Sequence, residues 1–113
     1  MSGLYELLPK IQERPGMYIG SANLDALYFF MVGYEFARNE LSVELKDKEI
    51  EFYREFQPWL QKRFQVETVN SWAKIIRFYS HDEKEAFNLF FKLLSEFLAR
   101  DNIDEQPEQI SVA

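Results

Sequence analysis

Apolar positions along this chain recur mainly at helical spacing. Leu4, Leu7, Leu8 and Ile11 step at three and four residues, as one face of a helix does. Pro9 falls inside that run and lacks the N–H a helix interior needs. The run is therefore expected either to break near Leu8 and restart at Pro9, or to begin late enough to hold Pro9 in its first turn. Pro15 pushes Arg14 out of helical space, and Pro15-Gly16 reads as a type II turn. From Leu24 to Ala37 the chain is apolar almost all round: Leu24, Leu27, Met31, Tyr34 and Leu41 form one stripe, and Tyr28, Val32 and Phe36 a second. Phe29 and Phe30 fill much of the rest. Such a helix is expected to be buried, and Gly33 within it predicts close approach by a neighbouring helix.

Further along, Asn39 to Glu51 is mixed and charged, and reads as a helix end followed by a connection. The alternation of Val43, Leu45 and Ile50 with charges admits a short strand. Phe52, Phe56, Leu60 and Phe64 step by four, but Pro58 interrupts them, so a helix is expected from Pro58 to Phe64. Asn70 or Ser71 caps a helix with Trp72, Ile75, Ile76 and Tyr79 inward. Ser80 to Glu83 has capping-box spacing. A last helix over 83–99 turns Phe87, Phe90, Phe91, Leu94, Phe97 and Leu98 to the core, with Lys92, Glu96 and Arg100 opposite. The pattern predicts an all-α fold: a single compact domain, residues 1–100, of about five helices around a buried central helix at 24–37. The 83–99 helix is its main partner. Residues 101–113 lose periodicity and are expected to form a flexible acidic tail.

Composition narrows the chemistry. With 113 residues, 47% hydrophobic and 17% aromatic, the sequence is that of one globular domain. Zero cysteines exclude disulfides, thiol catalysis and zinc–thiolate sites, and suit a reducing cytoplasm. Neither a signal peptide nor a membrane-spanning run is visible. The formal charge is −6, but Asp101, Asp104, Glu105 and Glu108 carry most of it, leaving the first 100 residues nearly balanced. No basic stripe suggests nucleic acid as a partner.

No residue set reads as catalytic. His81, the single histidine, lies among cap residues, and Asp82, Glu83 and Glu85 suit the positive end of a helix. Phosphate loops and nucleophile elbows are absent. No catalytic residue, metal site or cofactor is therefore expected. The residues expected to contact a protein partner are Arg14, Tyr18, Tyr34, Trp59 and Trp72, of residue types over-represented at interfaces. Tyr28 belongs to the same aromatic group. Arg14 has two readings, a bond to the last carbonyls of a helix or a guanidinium presented to a partner.

Arg14-Pro15-Gly16-Met17-Tyr18-Ile19-Gly20 resembles a segment near the start of the ATPase domain in the B subunit of DNA gyrase and its topoisomerase relatives. Glu35 and Asn39 match the spacing of a Glu and an Asn in that family. The resemblance implies a general base and a magnesium ligand for ATP hydrolysis, hence a nucleotide-binding remnant. The family's later Asp-x-Gly-x-Gly motif is missing, since no glycine follows Gly33. A broader pattern adds Leu24-x-x-Leu27, Gly33-Tyr34, Phe56-x-x-Trp59, Trp72-x-x-Ile75-Ile76 and Glu85-Ala86-Phe87-x-x-Phe90-Phe91 to the same seven residues. It is similar to small bacterial proteins, some of which resemble the immunity proteins of toxin systems. That resemblance implies a non-enzymatic cytoplasmic protein that binds and neutralises a toxin. A homo-oligomeric structural protein is the remaining alternative.

Overall fold

In the computed structural model, which describes residues 3–101, six helices follow one another: α1 Leu4–Glu13, α2 Pro15–Ile19, α3 Leu24–Glu40, α4 Asp47–Phe64, α5 Trp72–Phe78 and α6 Glu83–Leu98. The fold is all-α, with no strand among the described residues. Apart from Asp101, the expected acidic tail lies outside them, as does Ser2.

The most enclosed helix is α6, which buries Ala86, Phe87, Phe90, Phe91, Leu93, Leu94 and Phe97. It packs on α3 and α5; α5 in turn packs on α3 and α4, and α2 joins α1 to α3. The centre is aromatic. The Phe56 ring lies 4.9 Å from Phe52, 5.4 Å from Trp72, 5.4 Å from Phe97, 5.9 Å from Phe90 and 5.8 Å from Trp59, by ring centroids. Most of these pairs meet edge to face, the arrangement that the ring quadrupole favours.

Several expectations are corrected. The helix at 24–37 runs on to Glu40 and is one-sided: Leu24, Leu27 and Met31 are buried, while Phe29, Val32 and Phe36 face solvent, as does Leu41 just beyond it. An added Cβ at Gly33 would meet nothing within 4 Å among the described residues, so none of the six helices closes on it. Both prolines lie inside helices, Pro9 in α1 and Pro58 in α4. Both are exposed, so the carbonyls they deprive of a donor lie on or near the solvent side. Consequently α4 is one helix of 18 residues. It begins at Asp47, within the stretch read as a connection or strand. Pro15 starts α2 at its first position instead of a type II turn, and Gly20 ends that helix at φ 91°, where glycine is favoured.

Asn23 caps α3 by accepting from the Ala26 amide at 2.9 Å, and Ser71 caps α5 by accepting from Lys74 at 3.3 Å. The cap of α6 is Asp82, not Ser80: it accepts from the Glu85 amide at 2.8 Å while Glu85 accepts from the His81 amide at 3.1 Å. This is the reciprocal logic of a capping box, set two residues later than the sequence spacing suggested. Tyr79 and Leu98, expected inward, are exposed. Arg100, placed on the outer side of the last helix, reaches back to Glu51 at 2.9 Å and lies 3.9 Å over the Phe97 ring.

Candidate binding surface

The buried stripes of α3 and α4 each end in a charge. Arg38 continues the line of Leu24, Leu27 and Met31, and Glu49 precedes Phe52, Phe56 and Leu60 by one turn. Arg38 is 3% exposed and Glu49 2%. The guanidinium Nη1 donates to Glu49 Oε1, and Nη2 lies 3.4 Å from Oε2. Glu49 Oε1 also accepts from the Leu4 amide at 3.0 Å, so a side chain of α4 satisfies the first amide of α1. Burial alone would push the Glu49 carboxyl up. The Arg38 hydrogen bond, the Leu4 amide and the Arg38 charge outweigh it and hold the group below its ordinary value. This node ties three helices together, and its charges are committed to each other.

Beside it, α3, α4 and α5 enclose a cleft of about 260 Å³. Tyr28, Met31, Val32 and Glu35 line it from α3, Phe52, Tyr53 and Gln57 from α4, and Trp72 from α5. Trp72 is held by Tyr28 at 5.2 Å edge to face and by Phe90 at 4.8 Å stacked. Glu35 is half-buried and has no hydrogen bond or ion pair among the described residues. Burial pushes its carboxyl up. The Tyr53 hydroxyl is buried with no hydrogen-bond partner among the described residues, and burial together with the Glu35 and Glu49 charges raises its pKa.

The outer face of α3 borders this cleft. Phe29 is 69% exposed, Val32 46% and Phe36 65%. They fall at helical spacing around the open Gly33, and Val32 belongs both to this row and to the cleft wall. Further exposed apolar side chains are Phe78 and Tyr79 at the end of α5 and Val69 in the loop before it.

The residues expected to contact a partner are dispersed. Trp72 and Tyr28 line the cleft. Trp59 touches Phe56 and Phe97 and opens instead onto a groove with Lys62, Arg63 and Arg100. Tyr34 is half-buried, stacks with Phe30 at 6.4 Å and lies 5.0 Å beneath the Arg38 guanidinium. Tyr18 is half-buried against the core. Arg14 is exposed; its side chain makes no bond to a helix carbonyl among the described residues. Of the two residues that match the ATPase spacing, Glu35 faces the cleft and Asn39 faces solvent. Sequence reasoning missed Phe29, Val32 and Phe36 as a surface. The available signal was their flanks: Asp25 and Glu40 continue the same helical line in both directions, and charges at both ends mark a solvent face.

The fold and this surface define a small helical protein with a one-sided aromatic helix and an acid-bearing cleft. Compared with family models, curated proteins and solved structures, the chain finds no match.

Proposed function

We propose that the chain is a non-enzymatic protein-binding module of the immunity type, which acts in the cytoplasm and neutralises a toxin by occupying it. The observation that carries this reading is the row Phe29, Val32 and Phe36, large apolar side chains held in water on a helix whose other side is core. Apolar rows of this kind, set beside a lined cleft, mark interaction sites on folded proteins. The extended resemblance from Arg14-Pro15-Gly16 to Phe90-Phe91 supports the same reading. It asks for no catalytic group, only a preformed surface, and helices tied by a buried ion pair supply one.

The test is co-expression of the chain with the products of its neighbouring genes. One of them should arrest growth alone, should be relieved by this chain, and should elute with it as a stoichiometric complex. Relief of growth without a complex would overturn the reading, as would neighbouring products that this chain neither relieves nor binds.

A further inference from the structure

We propose that the partner docks on the cleft between α3 and α4, and that this cleft receives a basic side chain, lysine or arginine, from the partner while its apolar neighbours cover Phe29, Val32 and Phe36. The inference deepens the reading above and rests on it for the existence of a protein partner. Its ground is charge complementarity. Among the described residues Glu35 is the one charged side chain lining the cleft, and no Lys or Arg lines it. The nearest candidate on its own helix, Arg38, is buried and engaged by Glu49. A half-buried carboxylate with no countercharge favours a cation that brings one, and burial already pushes its carboxyl up, as expected where that charge is uncompensated. The remaining walls suit the same guest. Tyr28, Tyr53 and Trp72 present aromatic rings, whose faces attract ammonium and guanidinium groups. Gln57 supplies an amide able to accept a hydrogen bond.

The rim argues for a protein over a small cation. From Phe29 to Phe36 the exposed row extends roughly 10 Å along α3 at 1.5 Å per residue. A small amine filling the cleft would leave both phenylalanines in water. An interface with an apolar centre and one desolvated charge pair covers them.

The probe is the blocked peptide acetyl-Leu-Arg-Leu-amide, titrated into the full ¹⁵N-labelled chain. The reporter is the Trp72 indole N–H, distinguished from that of Trp59 by the Trp59→Phe spectrum. A saturable shift of Trp72 is expected. The same peptide with citrulline in place of arginine, and the Glu35→Gln chain with the original peptide, should each bind about tenfold more weakly or worse. Equal binding of the citrulline peptide, an unchanged affinity in Glu35→Gln, or no saturable response at Trp72 would overturn the proposal. So would concentration-dependent self-association of the chain that Glu35→Gln abolishes, which would give the cleft to a second copy. Because no toxin enters this titration, its failure leaves the co-expression result standing, and a failed co-expression leaves the cleft's preference for a cation intact.

Discussion

At the scale of single residues, Arg38 and Glu49 matter most to stability. Removing one partner strands the other charge in the interior, which costs about 3–5 kcal/mol. Arg38→Met and Glu49→Gln should each lower the unfolding free energy by about that much in urea titrations. The double variant Arg38→Met/Glu49→Leu should recover most of the loss, because two apolar side chains leave no charge unpaired. Its residual deficit comes from the Leu4 amide, which loses its acceptor. The pair also sets a pH dependence. Glu49's carboxyl is held below its ordinary value when folded, so the pair's contribution is complete above the unfolded carboxyl pKa of about 4.3 and is lost as pH falls through the folded value. Stability measured between about pH 5 and 2 should therefore fall more steeply in the wild type than in the double variant. This pair was not legible in the sequence: Asn39 to Glu51 reads as a connection, so the place of Glu49 on the apolar stripe of α4 shows only once that helix runs through Pro58. The pair is easily passed over because a charge at a helix end normally points to water.

At the scale of elements, the helices that read most clearly are those whose burial and period agree. In α6 the aromatic residues recur on one broad face, and the helix is buried on that face. Caps were legible as residue types but not as single positions: Ser71 serves where Asn70 or Ser71 was expected, whereas Asp82 displaces Ser80. The prolines misled because their cost depends on which side of the helix loses a donor. On the solvent side of α1 and α4 water can satisfy the freed carbonyls, so helical pattern overrides local propensity. Gly33 misled for the opposite reason, since its open surroundings show that no packing constraint requires glycine. Gly33→Ala should thus raise stability by roughly 0.5–1 kcal/mol through helix propensity, read as a higher urea midpoint with an unchanged slope. A loss of stability would mean that something does close on this position. Gly20→Ala is the contrasting case: at φ 91° an added Cβ is strained, and a cost of about 1 kcal/mol is expected.

At the scale of the whole molecule, the fold class follows from periodicity alone, but the candidate surface does not. Hydrophobic pattern says which residues avoid water on average. It does not say which face of a helix apolar all round finds a partner within the chain. With α6 and α5 covering one side of α3, none of the described helices covers the other, and Phe29, Val32 and Phe36 stay outside. The proposed role turns that leftover into a separation between stability and binding. Because Ser and Phe have similar helix propensities and neither phenylalanine is buried, Phe29→Ser/Phe36→Ser should shift the unfolding free energy by no more than about 0.5 kcal/mol per site. Glu35→Gln should do no harm to stability at pH 7. A carboxyl whose pKa is raised on folding destabilises the native state when ionised, so removing the charge helps above that pKa and makes no difference once the carboxyl is protonated, below about pH 4. Both variants should nevertheless lose protection in the co-expression assay. If protection instead falls only in step with unfolding midpoints across these variants and Gly33→Ala, the α3 face is a solvent-exposed accident of packing and the binding surface lies elsewhere on the molecule.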